Sequence, residues 1–176
     1  MELVGTLTTL RPWRLADVPS LVKYANNPNV ARQLRDRFPH PYTAADGRQF
    51  VQSVAPARPT TTFAIAVGGE AVGGAGFAPG ADVERYSAEV GYWLGEPHWG
   101  RGITAEAVRL LSDYAFTTCN MLRLFALPFA DNVQSIRVLE KAGYTREALL
   151  RASSVKHRIV RDQVLYALVN DAWRGV

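Results

Sequence analysis

The 176-residue sequence contains a single cysteine, Cys119. One thiol cannot close an internal disulfide, and it leaves a cysteine-based metal site short of ligands. Cys119 reads as a small apolar residue near a helix end rather than an acyl-carrying nucleophile. The three histidines, His40, His98 and His157, are scattered, which argues against a histidine metal centre. No apolar run approaches the roughly 20 residues that a membrane-spanning helix needs. Met1 to Leu10 alternates like a strand and lacks the charged start and apolar centre of a signal peptide. The expected location is therefore the cytoplasm, with no membrane partner. Internal repeats, low-complexity segments and linkers are also lacking, so residues 1–176 read as a single domain.

What is present fits a chain that folds alone. Hydrophobic residues make up 48% and charged residues 20%, an ordinary globular balance, and the length suffices to bury a full core. Lys and Arg number 20 against 16 Asp and Glu, a formal net charge of +4. That excess suits a polyanion, including a phosphorylated cofactor. The basic residues form no run, and no strand carries the aromatic pattern of RNA-binding sheets, so nucleic acid is not expected as the primary partner.

Along the chain, residues 4–13 read as a strand and Asp17 as the N-cap of a helix over about 18–25, with Pro19 tolerated in the first turn. Asn26-Asn27-Pro28 breaks that helix. A short helical piece is expected at 30–34, and Thr43 can cap a helix reaching about Val54. Residues 61–67 and 71–77 form a hairpin through Gly68-Gly69-Glu70, because glycine accepts the positive φ of such turns. A strand at 87–94 precedes a helix over 102–118, whose apolar Ile103, Ala107, Leu110, Leu111, Tyr114 and Ala115 recur near helical spacing. A strand at 121–127, a helix at 132–142 ended by Gly143, and strands at 144–151 and 159–169 complete the chain. The fold class is α+β on a mostly antiparallel sheet, with about seven strands and about four helices.

Trp99-Gly100-Arg101-Gly102-Ile103-Thr104-Ala105 lies where a strand hands over to a helix. Glycines there allow backbone N–H groups to converge on an anion, and the helix N-terminus adds partial positive charge. A pyrophosphate suits such a turn. The segment is neither a Gly-x-x-x-x-Gly-Lys-Ser/Thr loop nor a Gly-x-Gly-x-x-Gly loop, since Glu106-Ala107 stands where a further glycine is required. Taken alone, it also reads as a plain tight turn.

The wider string decides between them. Glu89-Val90-Gly91-Tyr92-Trp93-Leu94, Trp99-Gly100-Arg101-Gly102 and Glu106-Ala107, followed by Asp131-Asn132-Val133-Gln134-Ser135 through Gly143-Tyr144, resembles the GNAT N-acetyltransferase superfamily. More narrowly it is similar to the RimJ/RimL-like branch of ribosomal-protein-alanine N-acetyltransferases. Leu10-Arg11-Pro12 with Asp17, and Val164 to Leu168, extend the likeness over nearly the whole chain. The resemblance implies a splayed GNAT-like sheet in which the strands ending at Leu94 and near Leu127 part, with the pantetheine arm of acetyl-CoA in the gap. It implies cofactor contacts from the backbone around Tyr92, Trp93 and Leu94, and phosphate contacts from Trp99, Gly100, Arg101, Gly102, Ile103, Thr104 and Ala105. Trp99 departs from the superfamily's usual Gln/Arg, and Thr104 from its final Gly/Ala.

Individual residues carry competing readings. Asn132 and Ser135 open a helix and read first as caps; by resemblance, Asn132 touches pantetheine and Ser135 lies near the sulfur, where its hydroxyl could protonate the departing thiolate. Glu89 reads either as a strand-face salt-bridge partner or as the base that accepts the amine proton, with Glu147 the alternative base. Another GNAT branch keeps a glutamate and a tyrosine where Leu127 and Leu139 stand here, so its arrangement is ruled out. Trp13, Tyr92, Trp93 and Tyr166 read as core or pocket wall, and His98 as a neighbour of the cofactor. The first helices, with Arg32, Arg35, Arg37 and Pro39-His40-Pro41, should form the acceptor side. The expected activity is acetyl transfer from acetyl-CoA to a primary amine, without metal. The acceptor is a protein N-terminus or, alternatively, a small amine such as a polyamine, amino acid or antibiotic; a non-catalytic CoA-binding module and a homodimeric assembly also stay open.

Overall fold

A computed structural model describes residues 1–175. In chain order the elements are β1 (Leu3–Val4), β2 (Thr9–Pro12), α1 (Val18–Ala25), α2 (Pro28–Ala31), α3 (Ala44–Val54), β3 (Thr62–Val67), β4 (Glu70–Pro79) and β5 (Ser87–Leu94). They continue with α4 (Ile103–Thr117), β6 (Arg123–Ala126), α5 (Val133–Lys141), β7 (Thr145–Lys156) and β8 (Ile159–Val169). The strands form one sheet in the order β1-β2-β3-β4-β5-β6-β8-β7. Only β5 and β6 run parallel; the other neighbours are antiparallel, the pattern the mixed α+β reading expects.

Period-two alternation sends successive strand residues to opposite faces of the sheet. On β3, Phe63 and Ile65 enter the core shared with α4 and α5, alongside Val72, Leu111, Leu124 and Leu139, whereas Ala64 faces Trp13, Leu21, Ala25 and Val51 beneath α1 and α3. Full burial of one large aliphatic or aromatic side chain contributes roughly 1.5–3 kcal/mol. The sheet is therefore clamped from both faces.

The structure corrects the sequence reading at four places. The first strand is two, joined by a turn that Glu106 of α4 holds by accepting N–H bonds from Thr6, Leu7 and Thr8 at 2.9, 2.7 and 2.9 Å; this makes eight strands instead of seven. Asn27-Pro28 stops α1 but also starts α2, with the Asn27 side chain accepting from Asn29 N–H at 2.8 Å and proline in the first turn. The short helical piece expected at 30–34 thus lies at Pro28–Ala31, and the α-helices number five among the described residues instead of about four. Asp17 stands at the cap position of α1 but makes no cap bond to it. Its carboxylate instead takes the Arg11 guanidinium at 2.8 and 2.7 Å, in a buried pair, and the Arg14 N–H at 2.9 Å. Finally, β7 runs five residues beyond Arg151, past a bulge where Ala152 (φ 50°) gives its N–H to Asp162 at 2.7 Å.

Candidate active site

Parallel pairing between β5 and β6 is short: Ser87, Ala88 and Glu89 match Arg123, Leu124 and Phe125. Beyond Glu89, β5 continues to Leu94 with only β4 beside it. The chain leaving β6 turns towards β8, where Phe129 bridges Gln163 and the Gln163 side-chain amide donates to the Leu127 carbonyl at 2.9 Å. A wedge opens between the two strands, and one edge of β5 from Val90 onward has no paired strand among the described residues. Such an edge presents peptide N–H and C=O groups to whatever enters.

The glycine turn closes one end of this wedge. Trp99 gives its indole N–H to the Leu94 carbonyl at 2.7 Å, tying the turn to the tip of β5. Gly100 (φ 76°) and Gly102 (φ 80°) both adopt the left-handed region, which costs glycine nothing and other residues appreciably more. Gly102 stands at the N-cap of α4 and supplies no side chain to cap it, so the first N–H groups of α4 are left for an outside acceptor. Gly100, Arg101 and Gly102 are exposed, whereas Ile103 and Ala105 are buried and Thr104 is half-buried. Ile103 and Ala105 can thus reach a ligand only through their backbone. His98, packed edge-on against Tyr24 at 5.3 Å, has its pKa held below the ordinary histidine value by burial and by nearby Arg101.

The other wall is the start of α5. Asn132 caps this helix, its side-chain oxygen accepting from Ser135 N–H at 3.1 Å. The capping expectation and the wedge position coincide at this residue. Ser135 Oγ lies 2.8 Å from the Tyr92 hydroxyl, which is also 3.2 Å from the Ser135 carbonyl. The Tyr92 side chain therefore spans the wedge from β5 to α5. Burial pushes the Tyr92 phenol above its ordinary value despite the opposing bond from Ser135, so it stays protonated across the physiological range.

Glu89 and Trp93 alternate with Tyr92 and point to the other face of β5, towards α1 to α3. Trp93 packs against Phe38 at 5.6 Å. The half-buried Glu89 carboxylate is engaged by Arg35, from the segment after α2. Glu147 lies elsewhere: Arg123, whose register partner is Ser87 at the closed end of the β5–β6 pair, holds both its oxygens and keeps its pKa below the ordinary carboxylate value.

The structure thus brings Glu89, Tyr92, Trp93, Leu94, the glycine turn, Asn132 and Ser135 around one wedge, with the Leu94 side chain buried. The sequence reading assigns no function to the Tyr92 hydroxyl and leaves Arg35 as one of several rim arginines. No spacing rule links residue 35 to 89 or 92 to 135, so no local signal could have paired them. Among the described residues there is no group of three or more His, Cys, Asp or Glu able to hold a metal ion, and no helix is long and apolar enough to cross a membrane.

Residues 8–145 match the acetyltransferase (GNAT) domain family. An uncharacterized N-acetyltransferase, p20, of Bacillus licheniformis is 33% identical over 171 residues, 95% of each chain. The ribosomal-protein-serine acetyltransferase of Escherichia coli is 31% identical over 86 residues, 49% of this chain and 48% of its own. The solved structure of the ribosomal-protein α-N-acetyltransferase RimL, in complex with coenzyme A, shares the fold at a TM-score of 0.86 and 22% identity, covering 98% of this chain and 99% of that one. The splayed sheet, the glycine turn at the start of α4 and these likenesses lead to one conclusion: the chain belongs to the GNAT family of acetyltransferases.

Proposed function

We propose that this protein moves the acetyl group of acetyl-CoA to the primary amine of a polypeptide N-terminus by direct attack. The observation that carries the reading is the wedge itself: the edge of β5 away from β4 runs unpaired from Val90 to Leu94 between the glycine turn and the Tyr92–Ser135 contact. The residues present suit acetyl-CoA. Free helix-start N–H groups behind Gly102 fit a pyrophosphate, and an unpaired strand edge fits the amides of a pantetheine arm. Bound there, acetyl-CoA supplies an activated thioester.

This chain's residues do the rest. Glu89, on the acceptor face, takes the proton that the ammonium must lose, a task that positioned bases perform for roughly 10²–10⁴ in rate. A backbone N–H near Tyr92 to Leu94 donates to the thioester carbonyl as negative charge grows on it, worth roughly 3 kcal/mol of barrier. Tyr92 donates to Ser135 Oγ and leaves the Ser135 hydrogen free for the departing sulfur. Asn132 holds the start of α5 so that this hydroxyl stays aimed at the wedge.

The test is free-thiol release from acetyl-CoA with a panel of N-terminal peptides, polyamines, amino acids and aminoglycosides. Turnover confined to peptides supports the reading. Turnover confined to small amines moves the acceptor class, and binding of acetyl-CoA without turnover on any acceptor would mean a cofactor-binding module.

A further inference from the structure

Two hairpins in this sheet turn through a pair of residues that both have positive φ. In the β3–β4 turn these are Gly68 (φ 57°) and Gly69 (φ 87°). In the β7–β8 turn they are His157 (φ 52°) and Arg158 (φ 65°), flanked by the Lys156–Ile159 pair. Turns of this kind favour Asn-Gly or Gly-Gly, because a Cβ in the left-handed region crowds the following carbonyl. The ion pair at the β7–β8 tip among the described residues is Lys156 with Asp36, at 2.7 Å; the His157 and Arg158 side chains make none that would offset their conformation. Strain retained in this way gathers where a side chain is needed for a ligand.

His157 lines a cavity of about 500 Å³ between this hairpin, Arg32 and the connection from β6 to α5. Its wall carries Arg32, Lys156 and Arg161 against the carboxylates Asp131 and Asp162. Arg161 pairs with Asp131, and Asp162 accepts the Ala152 N–H at 2.7 Å, so three cationic or imidazole groups besides Arg161 face one carboxylate that lacks a cationic partner. Arg161 is equally committed, donating also to Gln33 Oε1 and the Arg32 carbonyl, each at 3.2 Å, and lying over the Phe129 ring at 3.7 Å. The donors with capacity left are the side chains of Arg32 and His157, and the Lys156 ammonium beyond its single bond to Asp36. Lys156 is only 8% exposed, and its one partner, Asp36, is 75% exposed. A buried ammonium with N–H bonds to spare favours a second anion. The cavity is tied to the wedge through chain neighbours: Asp131 in its wall precedes Asn132, and Asp36, which pairs with its Lys156, follows Arg35, the partner of Glu89.

We infer that this cavity is a subsite for a carboxylate carried by the acceptor close to its amine, bound by Arg32, Lys156 and His157. The inference rests on the acetyl-transfer reading and names the acceptor's chemistry within it. Such a carboxylate has two sources, an acidic side chain following a peptide N-terminus or the carboxyl group of a small amino acid.

The experiment compares kcat/KM for peptides beginning Ala-Glu, Ala-Gln and Ala-Lys, for free glutamate and aspartate, and for simple alkylamines. The full-length protein should favour Ala-Glu over Ala-Gln by about tenfold or more, the scale of one charge-assisted bond. Arg32→Glu should erase or reverse that preference. The double change His157→Asn with Arg158→Gly should raise the Tm by about 2–6 °C, as relief of left-handed strain predicts, while raising KM several-fold more for Ala-Glu than for Ala-Gln. A higher rate on free glutamate or aspartate than on Ala-Glu identifies the small acid as the source; the opposite order identifies the peptide. Equal rates on the three peptides with no activity on free amino acids, or an acidic preference that Arg32→Glu leaves untouched, overturns the subsite but not acetyl transfer. Absence of thiol release with every acceptor overturns the acetyl-transfer reading and the subsite with it.

Discussion

The two faces of β5 are built by different means. On the face towards α4 and α5, the wedge is framed by local devices: a glycine turn, a helix start, the Trp99 indole on a carbonyl five residues back, and the Asn132 cap on Ser135 three residues on. The opposite face is held by charges that meet across the chain. Arg35 reaches Glu89 over 54 residues, Lys156 reaches Asp36 over 120, and Arg161 reaches Asp131 over 30. Backbone geometry suits a guest of fixed shape such as a pyrophosphate, whereas side-chain ion pairs are easily exchanged and can be matched to one particular acceptor.

The sharpest way to break this contrast is Gly102→Glu. The substitution places a negative side chain at the expected phosphate position; the new Cβ meets only Leu7, at 3.4 Å, and adds the local cost of a side chain at φ 80°. Affinity for acetyl-CoA should fall by about 10²-fold or more while the circular dichroism spectrum is kept; the helix terminus loses its attraction for anions once a carboxylate competes there. Calorimetric titration that returns wild-type affinity would reduce the turn to a turn.

A smaller effect is expected on the acceptor face. Glu89→Gln keeps the shape and removes the proton acceptor, so kcat should drop by roughly 10²-fold near pH 7. The deficit should shrink as pH rises through about 8, where a free α-amine accumulates without help. A rate equal to wild type from pH 6 to 9 would remove Glu89 from the mechanism and return the search to a water held by backbone carbonyls.

Next in size comes the contact that joins the two walls of the wedge. Ser135→Ala should slow turnover by roughly tenfold, within the range of a lost acid catalyst, and alkali should not relieve it. Tyr92→Phe removes only the hydroxyl and should reproduce part of that loss. Both variants should grow more sensitive to the basicity of the leaving thiol when acyl donors of graded thiol pKa are compared. A Tyr92→Phe enzyme with wild-type leaving-group dependence would make the 2.8 Å contact a packing feature only.

The smallest effect belongs to Arg35. Its guanidinium occupies Glu89 and is half exposed, so Arg35→Ala should change stability by less than about 1 kcal/mol in urea unfolding. Acceptor KM should fall, because an incoming ammonium no longer competes with a guanidinium for the carboxylate. A raised KM would show that Arg35 binds the acceptor instead of standing in for it.

Much of the fold is legible in the sequence, but unevenly. The strand over 87–94 and the helix that Thr43 caps, reaching Val54, are found where alternation and a capping residue put them, because those signals act within a few residues of themselves. The split of the first strand was not legible, since its turn depends on a carboxylate a hundred residues away at Glu106. Asp17 shows the same limit: it looks like a cap, yet the Arg11 guanidinium and the Arg14 N–H claim its oxygens. Within the site, the glycine turn, Glu89, Asn132 and Ser135 could be nominated from motifs, while the Tyr92 hydroxyl and the grip of Arg35 could not.

By itself, then, the sequence determined the element order after the first strand, the turn at Gly100 to Gly102 and the family likeness, which depend on dihedral preference, periodicity and short-range motifs. Only the tertiary structure decided where β5 and β6 part, which face each side chain takes and which charges neutralise one another. Those outcomes follow from the register of strands distant in sequence, where a shift of one residue would exchange Glu89 and Tyr92 between the faces of the sheet.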